Sequence, residues 1–281
     1  MNAPLLSTPR VEPFFFDAEP GTRFSVYHAP NPQVEPRGAI LYVHPFAEEM
    51  NKTRRLAALQ ARAFAALGFA VLQFDLFGCG DSCGDFYSGR WELWKNDLSI
   101  AAGWLAERTG GPLWLWGVRL GGLLALDCAR DLQPAGIILW QPFSNGRNCI
   151  NQFLRLRLAA QMQGTASGSA RSTAALRAQL AVHGHIEVGG YEVAIPLVKA
   201  IDACDAVNMR MPACEVHWFA NPSPAPARAT ANVARLAAAW ARDGVQVHFH
   251  PIEGPSSWHP LEVIESTVLL DATSAVFRRP E

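Results

Sequence analysis

The sequence predicts an α/β protein: a mostly parallel, eight-stranded sheet with helices on both faces and a helical lid inserted after the sixth strand. Three observations predict it. Short, nearly continuous apolar runs recur, as expected of strands buried on both faces. Stretches with apolar residues at helical spacing separate them, and such alternation implies right-handed crossovers and a parallel sheet. One long segment, from about 144 to 210, breaks the alternation.

The elements follow in order. FFFDA (14–18) and RFSVYHA (23–29) are strands joined by a Glu-Pro-Gly turn, close enough to pair as an antiparallel hairpin at the sheet edge. GAILYVH (38–44) is the first buried strand. Residues 53–67 carry Leu56, Leu59, Ala63 and Leu67 on one helical face, with Gly68 as the stop. FAVLQFD (69–75), PLWLWGV (112–118) and AGIILWQ (135–141) are further buried strands, with helical patterns at 91–108 and 120–131 between them. The interruption opens on a helix with Ile150, Leu154, Leu158 and Met162 on one face, and shows no clear strand before CEVHWFA (214–220). A helix at 228–242, a strand at 245–250 and a final helix near 260–277 complete the pattern. The expected organisation is a core formed by 1–143 and 211–281, with 144–210 as the lid.

Composition narrows the function classes. With 49% hydrophobic and 17% charged residues the chain reads as globular, and a net charge of −1 gives no reason to expect nucleic acid as a partner. The start, MNAPLLSTPR, lacks the features of a signal peptide, and no run reaches the roughly 20 apolar residues of a transmembrane segment. The cysteines form no C-x-x-C pair and read as reduced thiols of a cytoplasmic protein. Neither Cys79 with Cys83 nor His183 with His185 has a convincing partner group, so no metal and no cofactor is expected. His248 and His250 share one strand face and read as ordinary strand residues.

The most informative segment is LWLWGVRLGGLLALDCA, where a strand ends and a helix begins around G-V-R-L-G. The nucleophile-elbow motif is G-x-S-x-G, whose glycines permit a turn too tight for side chains and whose centre carries the nucleophile. Gly117 and Gly121 meet the steric demand, but Arg119 holds the centre. DLFGCGDS (75–82) has Asp75, Gly78, Gly80 and Ser82 at the offsets of the loop after the fourth strand of α/β-hydrolases, where Ser82 would support the turn. His44-Pro45-Phe46 stands where that fold has its oxyanion segment. The backbone N–H groups of Phe46 and Leu120 would face a developing oxyanion, and His44 would orient the loop. These residues together resemble the α/β-hydrolase fold.

The triad order in that fold is nucleophile, acid, histidine. The acid position reads FANPSPAPA, with Asn221 and no carboxylate, and His259 in Ser257-Trp258-His259-Pro260 is the candidate histidine. A standard serine hydrolase is therefore not expected. A thiolate from Cys79 or Cys83 could stand in for the serine, but the elbow geometry belongs to position 119.

A narrower likeness rests on HPFAEEMNKTRR, FDLFGCGDSCGDF, LWLWGVRLGG, LWQPF and QFLRLR. These runs resemble the exosortase A system-associated hydrolases of type 2, over roughly 38–160 and more weakly around EVGGYEV and Trp258. The resemblance implies a cytoplasmic bacterial protein of the PEP-CTERM/exosortase and exopolysaccharide system, with hydrolysis attributed from its fold.

Arg119 would place a cation at a helix N-terminus, where the dipole disfavours it. Three roles stay open: permanent pairing with Glu48 or Glu49, binding of an anionic ligand, or direct catalysis. Either glutamate could act as a general base on water if burial raised its pKa, or simply be a helix-start carboxylate. Asn51, Lys52, Arg54 and Arg55 read as a capped, solvated first turn. The lid helix carries Arg155 and Arg157, and Trp94 and Trp116 belong either to the pocket or to the core. Two functions follow. One is a hydrolase-like protein acting on an ester or thioester without a serine nucleophile. The other is an inactive binding module holding a small-molecule, acyl or lipid-linked anionic ligand, or a partner, through Arg119.

Overall fold

The computed structural model describes residues 10–164, 170–221, 226–252 and 266–278. The chain runs β1 (Val11–Asp17), β2 (Thr22–His28), β3 (Gly38–Val43), α1 (Glu48–Ala66), β4 (Phe69–Phe74), α2 (Trp91–Arg108), β5 (Leu113–Val118), α3 (Leu120–Leu132) and β6 (Gly136–Trp140). There follow α4 (Gly146–Met162), α5 (Thr173–His183), β7 (His185–Val188), β8 (Tyr191–Ala194), α6 (Ile195–Ala203), β9 (Glu215–Ala220), α7 (Pro226–Trp240), β10 (Gln246–Pro251) and α8 (Thr267–Ala275).

Eight strands form one sheet in the order β1-β2-β4-β3-β5-β6-β9-β10. The β1/β2 and β2/β4 pairs are antiparallel, and every later pair is parallel. This is the α/β-hydrolase fold, with the expected N-terminal hairpin at its edge. Alternation along the strands sorts side chains to two faces. Ile40, Tyr42, Val71, Trp116 and Trp140 pack on one face with Leu56, Phe64 of α1 and Leu269 of α8. Leu41, Val43, Leu72 and Leu115 face the other way, against Leu98 of α2 and Leu123 of α3.

Between β6 and β9 lie α4, α5, the β7/β8 hairpin and α6. The hairpin corrects the reading of a strandless segment: His185 pairs with Ala194 and Val188 with Tyr191 around Gly189-Gly190. Its four-residue strands are too short for apolar alternation to stand out, although a Gly-Gly pair between them is a two-residue turn signal.

The topology locates the site. From β3 the chain moves outward to β4 and then returns to β5 on the other side, so the strand order reverses between β3 and β5. Crevices beyond the carboxyl ends of strands at such a switch point are where open α/β sheets bind ligands. Val43 of β3 is in register with Gly117 of β5, which sets the loop after β3 beside the elbow after β5.

Candidate active site

The elbow is present in its backbone. Arg119 sits between β5 and α3 with φ 55° and ψ −117°, a conformation that costs a non-glycine residue about 1–3 kcal/mol and that marks strained functional turns. Its glycines are obligatory. A Cβ on Gly117 would come within 2.5 Å of Gly122 Cα, and one on Gly121 within 2.3 Å of the Val43 carbonyl oxygen. Thus α3 packs against the end of β3 closely enough for the two loops to share a pocket.

Ion pairing answers the conflict between Arg119 and the helix dipole. The Nε of Arg119 donates to Glu49 Oε1 at 3.1 Å, Nη2 to Gln152 Oε1 at 3.0 Å, and Nη1 to the Gln141 carbonyl at 3.2 Å. The guanidinium lies 4.1 Å from the centre of the Phe143 ring. Its side chain is 11% exposed and that of Glu49 26%. Glu49 opens α1 and Gln152 belongs to α4, so one side chain ties the elbow, the first long helix and the inserted segment together. Glu49 rather than Glu48 is the partner. The Glu48 carboxylate instead accepts from the Tyr191 hydroxyl of β8 at 3.3 Å and from Asn51 at 3.4 Å.

The loop after β3 is held by His44. Its Nε2 accepts the Leu76 N–H at 3.2 Å, so its Nδ1 is the protonated nitrogen that donates to the Pro45 carbonyl at 2.7 Å. Burial holds His44 below the usual histidine range, which preserves this neutral form. Phe46 and Leu120 line a common cavity with Trp91, Trp94 and Phe86, of about 10 Å³, space for no more than one water. Among the described residues, neither the Phe46 nor the Leu120 backbone N–H has a hydrogen-bond acceptor. Phe153 of α4 closes on Phe46 at a ring separation of 5.0 Å. Trp116 lies on the other face of the sheet, tilted against Tyr42 and edge-on to Trp140, and belongs to the core.

Other expected residues take definite places. Asn221 accepts from Gln141 Nε2 at 2.6 Å, beside the residue whose carbonyl binds Arg119. Ser82 supports its turn through Asp75 and the Phe24 N–H. Cys79 is buried, and burial pushes its thiol far up, which removes it as a thiolate nucleophile. Cys83 is exposed. His259 lies outside the described residues. Asn51, Arg54 and Arg55 are exposed, as a solvated turn requires, and Arg54 in addition pairs with buried Asp75 at 3.0 Å. Helix α1 starts five residues earlier than the apolar pattern indicates, and its N-cap, Ala47, makes no side-chain capping bond.

Sequence reasoning missed one supporting element. Arg23 of β2 and Asp97 of α2 form a fully buried pair at 2.8 Å, and the other Asp97 oxygen accepts the Phe77 N–H at 2.8 Å. It fixes the loop after β4 beneath the site. No local pattern marks a pair 74 residues apart.

Residues 34–194 match the family model for Hydrolase_4, serine aminopeptidase S33. The chicken lysophosphatidylserine lipase ABHD12 is 32% identical over 114 residues, 38% of this chain and 29% of that protein. The chain therefore matches less than a third of the length of that relative. Among solved structures, Est1E of Butyrivibrio proteoclasticus with ferulic acid superposes with a TM-score of 0.62 at 14% identity, covering 94% of this chain and 96% of that one. A soluble variant of monoglyceride lipase from Saccharomyces cerevisiae, in complex with a substrate analogue, gives 0.62 at 14% identity, with 97% and 96% covered. At such identity these two likenesses concern the fold alone. No helix among the described residues is long and apolar enough to cross a membrane.

Proposed function

The chain belongs to the serine aminopeptidase S33 family, and we propose that it is a member without seryl catalysis, a hydrolase scaffold that holds an anion at Arg119. The observation that carries this reading is the clamp on the elbow residue. A guanidinium takes the place of the nucleophile, and a carboxylate of the protein itself, Glu49, already occupies it. Glu49 is then an internal competitor of an external carboxylate or phosphate, which would replace it on the guanidinium. The partial likeness to a lysophosphatidylserine lipase supports an acylated, anionic ligand. Arg155 and Arg157 on α4 suit such a ligand, and 144–210 acts as its lid. The resemblance to exosortase A system-associated hydrolases supports a cytoplasmic role in exopolysaccharide production.

Calorimetry tests this with a fatty-acid carboxylate and an acyl phosphate as probes. The Glu49→Gln protein should bind them about tenfold tighter than wild type, because the internal competitor is gone, and Arg119→Ala should not bind them. Equal binding by all three proteins would overturn the proposal.

One observation favours a second reading, hydrolysis of an ester or thioester by a water activated at Glu49 or His259. The strained elbow and the unengaged N–H groups of Phe46 and Leu120 are what an oxyanion would need. That reading requires turnover without a covalent intermediate.

A further inference from the structure

Away from the elbow, the last two strands bring four metal-binding side chains to one sheet face. Glu215 and His217 are two residues apart on β9, so they project the same way. His217 is in register with His248 on the neighbouring parallel strand β10, and Phe219 with His250. One ligand atom from each of Glu215, His217 and His248 falls within 4.8 Å of the others. The Nε2 of His217 lies 3.4 Å from Glu215 Oε2. Two ligands on one tetrahedral zinc ion are about 3.3–3.4 Å apart, because each bond is about 2.0–2.1 Å long. That pair is thus already at the spacing a cation would impose.

We propose that Glu215, His217 and His248 form a binding site for a divalent transition-metal cation of the zinc type, with His250 orienting His217. The donor set of two imidazoles and one carboxylate suits cations of borderline softness and leaves a fourth position for water. His250 supplies the outer-shell partner that metal-bound histidines ordinarily have. Its Nε2 is 3.0 Å from His217 Nδ1, which leaves His217 Nε2 directed toward the other two ligands. With a cation bound, His217 Nδ1 donates to His250 and the metal replaces the proton between His217 Nε2 and Glu215. The ring of His217 is buried, whereas Glu215 and His248 are exposed, so a cation can enter from solvent.

The site is separate from the elbow. Along the register from β5 through β6 and β9, His217 stands level with Trp116, two residues before Val118, and Glu215 level with Trp114. Among the described residues, strand β10 ends the sheet and is bonded only to β9. A cation held by both strands would clip this edge strand to its neighbour, a structural role. The sequence carries half of the signal, a Glu-x-His and a His-x-His at strand spacing. Only the strand register shows that they share a face.

The test uses the full chain with Cys83→Ser, which removes the exposed thiol as a rival ligand, stripped with a chelator and titrated with Zn²⁺ or Co²⁺. The expected result is one ion per chain, a visible Co²⁺ spectrum of nitrogen and oxygen ligation without a thiolate charge-transfer band, and a higher Tm with zinc. His217→Ala, His248→Ala and Glu215→Gln should each weaken binding at least tenfold, and His250→Ala by about 10–100-fold. Exposed His183→Ala should bind as the parent does. Glu215 and His248 are exposed, so their variants keep the fold, as circular dichroism would verify. Absence of stoichiometric binding at 100 µM cation (roughly the weakest affinity a resident site would show), or binding unchanged in both Glu215→Gln and His248→Ala, would overturn the proposal.

Discussion

The Nε of Arg119 lies 3.1 Å from Glu49 Oε1, joining the elbow residue to the first turn of the helix that follows β3. The pair is largely shielded from solvent, so deleting one member leaves a poorly solvated charge. Glu49→Ala should cost about 1–3 kcal/mol in urea melts, and a double-mutant cycle with Arg119→Met should show positive coupling. Additive effects would mean that the pair contributes nothing beyond its separate side chains.

The elbow turn depends on close approach. A methyl group on Gly121 would collide with the Val43 and His44 carbonyl oxygens at 2.3 and 2.4 Å. Those are backbone atoms and cannot swing aside. Gly121→Ala should therefore destabilise the protein by about 3 kcal/mol. A thermal midpoint equal to wild type would contradict this geometry.

The strands of the large sheet, the helices that cover it and the elbow glycines were legible in the sequence because each follows from a local rule: apolar runs, helical spacing, or steric demand at Gly117 and Gly121; α5, α6 and the short strands of the β7/β8 hairpin were not. Arg119 was recognisable as an anomaly for the same reason. Its partner was not, since Glu48 and Glu49 are adjacent and only the helix phase directs the second toward the elbow. Gln152 and Tyr191 were invisible as site residues because tertiary packing alone carries α4 and β8 to the elbow. The Glu215–His217–His248 cluster depends on strand register and the buried Arg23–Asp97 pair on the docking of α2 against β2, neither of which sequence periodicity specifies.

The Arg23–Asp97 pair is fully buried. Removing one partner leaves the other charged and dry, so Asp97→Ala should cost about 3–5 kcal/mol. It should also loosen the loop after β4, read as faster amide exchange at Phe77, whose N–H bonds Asp97. Protection unchanged at Phe77 would show that the carboxylate does not hold the loop.

Acid should weaken the fold through its buried histidines. Burial keeps His44 and His28 below the usual histidine range in the folded chain, whereas unfolded they titrate near about 6.5. Below that pH the unfolded chain binds more protons, so this contribution is complete above about 6.5 and is lost as pH falls toward the lowered folded values. Urea stability measured from pH 7.5 to 5.5 should decline, and His28→Gln should decline less steeply. A protein that grew more stable on acidification would contradict this.

Thiol reactivity should follow burial. Exposed Cys83 should react first with iodoacetamide, while buried Cys79 and Cys149, whose thiols are pushed up by burial, should stay unmodified in the native protein. Rapid native labelling of Cys79 would restore a cysteine nucleophile as a candidate.

Steady-state hydrolysis of a panel of chromogenic acyl esters and acyl-CoA thioesters tests the central claim most directly, with wild type compared against Arg119→Ala and His259→Ala, and with a fluorophosphonate probe in parallel. The account predicts no turnover above background by any of the three proteins and no covalent labelling of the wild type. Turnover by wild type that is lost in Arg119→Ala or His259→Ala would contradict it and establish an enzyme working without an elbow serine.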